Sequence, residues 1–266
     1  MSHEAVIADL SAEAGSFEDL LTGLSDEDWA KVTPAVGWTV AHQVGHLTFV
    51  YRIAALAASD PEKFTAMTST IGERGGFDAV VSATAAEHLA EGPAALLGHW
   101  QAARKAAVGA LAAVPTESTV PWLVNPLPPT VLCAAGMMEA FAHGQDIADA
   151  LGIRRERTDR LRRIVDFVAL TWQFGYESNG LTPPAKPFRF EVSGPSGETW
   201  YAGAGDAETG LITGPAEDLV LLATRRRHRD DLDLKGDTAA AEEWLGIAQA
   251  YRGPKGAGRA PGQFQH

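Results

Sequence analysis

Cysteine is nearly absent from this 266-residue chain: Cys133 stands alone, so no internal disulfide can form. Basic residues are scarce as well, with Lys+Arg 22 against Asp+Glu 34 and a formal net charge of −12. So acidic a chain repels phosphate backbones and anionic headgroups, which argues against generic nucleic-acid or membrane-surface binding. No apolar run approaches the roughly 18 residues of a membrane span without meeting a charge or a turn former. Met1-Ser2-His3-Glu4 lacks the basic region and apolar run of a secretory leader, so a cytoplasmic location is expected. Gly 27 and Pro 15 are too few for low-complexity disorder, and no internal repeat of fixed period is present. Apolar residues, in contrast, make up 45% of the chain, ample for a core. At about 150 residues per domain, the length leads us to expect two modest domains rather than one large one.

Val6, Leu10, Phe17, Leu20, Leu21 and Leu24 follow one stripe of a long amphipathic helix. Ser25, with Asp28 three residues on, reads as the cap of a short turn carrying Trp29, after which Pro34 to Gly37 break the chain. A second helix is expected over 39–58 with Thr39 as its N-cap, a short one opens at Asp60-Pro61, and another is expected over 77–89 after Gly75-Gly76. Pro93 starts a helix that stops before Pro115, and the proline-rich segment 120–129 reads as a rigid loop. Helices over 130–151 and 158–176 follow, stopped by Gly152 and by Asn179-Gly180. Past the prolines at 183, 184 and 187 the pattern changes: Phe188 to Val192 alternates with period two, 193–197 is a hairpin turn, and 198–202 is the returning strand. Leu211-Ile212 makes a third strand, with helices over 215–223 and 238–251. The fold class is thus mainly α, with a helical bundle over 1–182, a small α+β domain over 183–252 and a loose Gly/Pro-rich tail over 253–266.

Two helices carry the residue types that do chemistry. On the second helix Val40, Val44, Leu47 and Tyr51 share one apolar face, while His42, His46, Phe49 and Ile53 share another. A helix with two apolar faces is buried on both, and an unpartnered imidazole there loses its hydrogen bonds to water. The pair is either bonded to carbonyls or a hydroxyl within the core, or it ligates a metal. On the helix from Thr130, Glu139, His143 and Asp146 lie on one face with Leu132 and Ile147, opposite Ala134, Met138 and Phe141. Glu139 and His143 facing His46 would give a divalent metal two nitrogens and one oxygen, leaving room for water or substrate. The simpler alternative is a Glu139–His143 surface pair at helical spacing. Arg225, Arg226, Arg227, His228 and Arg229 form the one dense basic patch. They either complement a helix C-terminus and pair with Asp230, Asp231 and Asp233, or supply Arg225 or Arg226 to hold an anionic substrate or cofactor group. Trp38, Trp122 and Trp172 are expected chiefly as core, with Trp38, beside the first histidine motif, the one assigned to substrate or cofactor binding.

Gly37-Trp38-Thr39-Val40 followed by His46-Leu47 resembles the first motif of the DinB-like metal-binding bundles, in particular their mycothiol-dependent maleylpyruvate isomerase branch. Glu139-Ala140-Phe141-Ala142-His143-Gly144-Gln145-Asp146 resembles that branch's second ligand motif. Thr213 to Leu219 and Thr224 to His228 resemble the sterol-carrier-like α+β domain that accompanies such bundles. The resemblance implies an up-and-down four-helix bundle that binds a divalent metal, zinc first and nickel as the alternative, through His46, Glu139 and His143. It also implies mycothiol as a cosubstrate. These motifs mark a family and leave the reaction open, since its members include thiol transferases, isomerases and proteins with no known activity.

One position departs from the family. Where relatives usually carry Asp four residues before the ligand histidine, this chain has His42, which is either a base or hydrogen-bonding partner at the metal or a packed core histidine. Asp146 is assigned to orienting His143, with a helix-surface carboxylate as the alternative. The expectation is a metal-dependent isomerase or thiol transferase that takes a small-molecule substrate and a low-molecular-weight thiol, as a monomer or homodimer. The rivals are a hydrolase, hydratase or lyase using water at the metal, with His42 as proton shuttle, and a non-enzymatic binding protein with a closed four-ligand site.

Overall fold

Ser2 caps α1, His3–Asp19, by accepting the Ala5 N–H through its hydroxyl, and Val6, Leu10, Ala14 and Phe17 recur along the helix as a buried stripe. The computed structural model describes residues 2–71, 80, 83, 86, 89–203 and 209–264; most of the helix expected over 77–89 lies outside these residues. Ser25 and Asp28 close a capping box on α2, Asp26–Ala30, which buries Trp29. Next come α3, Val40–Ser59, and α4, Pro61–Ser69, where the Asp60 carboxylate accepts the Lys63 N–H. The expected long helices are found as α5, Pro93–Ala113, and α6, Pro129–Leu151, the latter ending on Gly152 in the left-handed conformation. Among the described residues no helix is long and apolar enough to cross a membrane.

The chain divides into two compact units, Met1–Arg154 and Arg155–His266. In the first, α1 packs on α5 and α6, and α3 packs on the same two helices, so the four long helices form a ring in the order α1, α5, α3, α6. Consecutive long helices, α1 with α3 and α5 with α6, therefore stand across the diagonals. The extended connections over 20–39 and 114–128 make this feasible, where short loops would force adjacency. At the centre, Trp100 of α5 is fully buried and meets Phe17 of α1 and Tyr51 of α3 edge-to-face, each at 4.9 Å between ring centroids. The Tyr51 hydroxyl donates to the Gly136 carbonyl of α6 at 3.1 Å. A Cβ at Gly136 would sit 3.3 Å from Leu10 Cδ1, so glycine lets α6 approach α1 closely.

The second unit is built on a four-stranded sheet in the order β2-β1-β3-β4. Its strands are β1, Arg189–Ser193, β2, Thr199–Gly203, β3, Leu211–Pro215, and β4, Lys235–Gly236. β1 pairs antiparallel with β2 through the expected hairpin and parallel with β3. Phe190 and Val192 point inward as their alternation required. Within the same unit lie α7, Leu161–Leu170, α8, Phe174–Ser178, α9, Ala216–Ala223, and α10, Ala239–Ile247. Leu161, Ile164, Val165 and Val168 of α7 are buried where that helix packs on α9 and β2. The division between the units thus precedes the proline linker, because α7 buries its stripe with the sheet.

Three local differences from the sequence reading have physical causes. The single helix expected over 158–176 is two, because Thr171 turns its hydroxyl back onto the Phe167 carbonyl at 2.8 Å and the chain bends before α8. The bend presents the Trp172 carbonyl to the indole N–H of Trp244 at 2.8 Å. The helix expected over 238–251 stops at Ile247, after which the Ala250 N–H donates to the Ala223 carbonyl at 2.8 Å. Residues 253–264 carry no helix or strand, yet Lys255 donates to Asn179 Oδ1 at 2.8 Å and the Gly262 N–H donates to the Asp231 carboxylate at 2.8 Å.

Candidate metal centre

Thr39 starts α3 with His42 three residues on, and here the structure departs from a simple metal role for His42. Its Nδ1 accepts the Thr39 N–H at 3.3 Å and lies 2.8 Å from the Thr39 hydroxyl, so His42 closes the helix N-terminus in the manner of a capping-box acid. One turn later His46 faces α6. There Glu139 and His143, at i and i+4, share the face the helical period gives them.

One ligand atom each from His46, Glu139 and His143 lies within 4.8 Å of the others, the group among the described residues that matches metal-ligand spacing. Glu139 Oε2 is 3.1 Å from His143 Nε2 and 3.6 Å from His46 Nε2, and the two imidazole centroids are 4.5 Å apart. The Glu139 side chain keeps 25% of its surface accessible, so the cluster is open to a small molecule. Burial works against the Glu139 carboxylate, but hydrogen bonds from His143 and His46 outweigh it and hold the carboxyl well below the usual carboxylate range.

The tautomer of His143 follows from its partners. Gln43, fully buried on α3, donates through its amide nitrogen to Thr33 Oγ1 at 2.8 Å and to Asp146 Oδ2 at 3.4 Å, which turns its carbonyl toward His143. His143 Nδ1 therefore donates to Gln43 Oε1 at 2.5 Å, and a neutral His143 presents a lone pair at Nε2. That lone pair faces a carboxylate oxygen, and two acceptors at 3.1 Å need a cation between them, either a proton or a metal. His46 Nδ1 is buried without a hydrogen-bond partner, so no bond there fixes its tautomer. A nitrogen–nitrogen–oxygen set converging on one point is the donor set of open divalent-metal sites, and these residues fit such an ion.

Trp38 walls the site, its ring 5.8 Å from His143 at an interplanar angle of 18° and 5.2 Å from His46. The turn that delivers it uses Gly37 at φ 79°, and the Trp38 carbonyl accepts from both the backbone N–H and the hydroxyl of Thr33. Thr33 thus braces Trp38 and Gln43 together. Asp146 is completely buried and reaches His143 through Gln43. Arg225 and Arg226 belong to the second unit, at the end of α9, where Arg226 Nη1 donates to the Thr224 carbonyl at 2.6 Å. Trp122 stacks on Phe64 at 5.8 Å, and Trp172 is buried. Cys133 is buried in α6, and desolvation pushes its thiol up to about 12, so it is no ready nucleophile.

Sequence reasoning passed over Gln43 and Thr33. The available cue was a long amide on a helix already read as buried on both faces, since such a group must find partners. Replacing Gln43 with Leu leaves the His143 N–H, the Thr33 hydroxyl and Asp146 without their shared partner. Metal affinity is expected to fall roughly 10–100-fold, the effect typical of losing a hydrogen bond to a ligand imidazole. Competition against a chromophoric chelator measures this, and unchanged affinity in a folded Gln43→Leu protein refutes it.

Residues 10–148 match the model of the mycothiol maleylpyruvate isomerase N-terminal domain. Two uncharacterized proteins of Mycobacterium tuberculosis, from strains CDC 1551 and H37Rv, are each 42% identical to this chain over 254 residues, covering 95% of it and 97% of each relative. Crystal structures of the mycothiol-dependent maleylpyruvate isomerase and of a histidine-to-alanine mutant share the fold. Their TM-scores are 0.55 and 0.57 at 15% and 13% identity, over 84% of this chain and 88% of each of theirs.

Proposed function

Since the chain belongs to the family of mycothiol maleylpyruvate isomerase N-terminal domains, we propose that it is a metal-dependent enzyme of the mycothiol-dependent isomerase or thiol-transferase type, acting on a small electrophilic metabolite. The observation that carries this reading is the open set of His46, Glu139 and His143, with His143 held in one tautomer by Gln43. His46, Glu139 and His143 would hold a divalent ion, zinc by donor preference and nickel as the alternative, and such an ion would lower the pKa of a thiol bound beside them. Glu139 contributes negative charge and fixes His143. Trp38 shields one side of the site from water and offers a flat apolar surface to a substrate.

The thiol must come from outside, because Cys133 is buried and held protonated. In an isomerase of this type the exogenous thiolate adds to an activated carbon–carbon double bond. Rotation follows about the resulting single bond, and elimination then re-forms the double bond and releases the thiol. A metabolite of the maleylpyruvate kind, with a carbonyl conjugated to a cis double bond, has the required electrophile. Reduced low-molecular-weight thiols are kept in the cytoplasm, where we place this activity.

Millimolar mycothiol is expected to raise the Tm of the metal-loaded protein and to leave that of the metal-stripped protein unchanged. A ligand that binds only the folded state at about 100 times its Kd stabilises it by about 2.7 kcal/mol. Differential scanning fluorimetry reads the result. No shift in the metal-loaded protein defeats the thiol reading and favours a water-using hydrolase or hydratase on the same three residues.

A further inference from the structure

The arginines that follow α9 are arranged around a cavity of about 140 Å³ within the second unit. Arg225, Arg227, His228 and Arg229 line it from the segment after α9, and Arg259 lines it from the C-terminal segment. Leu222 and Leu245 supply apolar wall, and no carboxylate is among the lining residues. In a chain of net charge −12, a cavity lined by four arginines and a histidine with no lining acid is a local concentration of positive residues.

The guanidiniums are held in place. Arg225 sits at φ 60°, a left-handed conformation rare outside glycine. The helix end explains it: the Arg225 N–H donates to the Leu222 carbonyl and the Arg226 N–H to the Leu221 carbonyl, both at 2.8 Å, a closure that normally selects glycine at this position. Its Nε is buried with no hydrogen-bond partner. Gly258 leaves room for its Nη2, which a Cβ there would approach to 2.9 Å. Arg227 donates to the Arg226 carbonyl at 2.7 Å and lies 4.6 Å over the ring of Phe264. Arg229 donates to the carbonyls of Leu232 and Leu234, with Glu242 3.5 Å away.

We propose that this cavity binds a phosphate-sized oxyanion through Arg225, Arg227, Arg229 and Arg259. Planar guanidinium forks match the oxygens of such an ion, and the buried Arg225 Nε, which has no hydrogen-bond partner, offers it a donor. The volume suits inorganic phosphate or the phosphate group of a small metabolite, several times the room one water needs. Because Arg259 and Gly258 come from the terminal segment, the occupant also clamps that segment to the unit. The site is independent of the metal-centre reading, and removal of the metal is expected to leave it intact.

Calorimetric titration of inorganic phosphate into the full chain, against chloride at matched ionic strength, is the test. One phosphate per chain is expected, with and without metal. Arg225→Gln and Arg259→Gln are each expected to weaken binding roughly tenfold or more, while Lys105→Gln, an exposed change on α5, leaves it unchanged. Phosphate is also expected to slow tryptic cleavage after Lys255. Heats equal to the chloride control up to about 10 mM phosphate overturn the proposal, as does undiminished binding in a folded Arg259→Gln protein. Circular dichroism establishes folding, and Arg259→Gln carries the test if Arg225→Gln fails to fold.

Discussion

His143→Ala and His46→Ala, made singly, will each purify with less than roughly a tenth of an equivalent of divalent metal and with activity lowered by about three orders of magnitude or more, against nearly one equivalent in the native protein. Each change removes one of only three donors. It also leaves the Glu139 carboxylate with one imidazole where it had two. Acid should reproduce the loss reversibly. Glu139 is held well below the usual carboxylate range, so it stays ionised while pH falls from 7 to 5, and the loss comes from protons competing with a metal for the ligand nitrogens. The sign is therefore fixed: metal occupancy falls as pH falls. Elemental analysis of both variants decides the assignment, and a full equivalent of metal surviving in each would remove it.

Trp100→Ala is the second large effect. The side chain is fully buried among Phe17 and Tyr51, where it ties α5 to α1 and α3. Truncating so large a buried aromatic costs about 3–5 kcal/mol. For a unit of this size that lowers Tm by roughly 6–20 °C. The buried indole Nε1 has no hydrogen-bond partner, so what Trp100 contributes is packing. Trp100→Phe, which keeps most of the ring contacts and removes that unsatisfied N–H, is expected to cost clearly less. Thermal denaturation of the two variants checks both size and order, and a drop below about 2 °C for the alanine variant contradicts this account.

Helix periodicity made the juxtaposition of His46, Glu139 and His143 readable in the sequence. The phase of α3 and α6 sets His46, Glu139 and His143 on facing, half-buried stripes, and Pro61, Pro93 and Gly152 mark helix ends where they were expected. Relations between side chains were less legible. His42 has the same phase as His46 to within one turn, yet its ring turns back to Thr39, because the first turn of a helix has N–H groups to satisfy and a nearby imidazole nitrogen can accept one. Gln43 and Thr33 carry no distinctive chemistry, and only the packed structure shows that one amide serves His143, Asp146 and Thr33 at once. The break at Thr171 and the two-residue β4 follow from single contacts too local for a pattern to announce.

The ring order α1, α5, α3, α6 also bears on how the protein is made. Neighbours in space are distant in sequence: α6 must return to α1 from more than a hundred residues downstream, and it brings Glu139 and His143 with it. Such non-local closure slows the search for the native arrangement relative to a bundle whose successive hairpins zip locally. A nascent chain that has not yet reached α6 holds only one of the three donors, so the ion cannot template the early steps. An ion held by these three residues would be captured only after α6 docks, so metal uptake would report closure of the bundle.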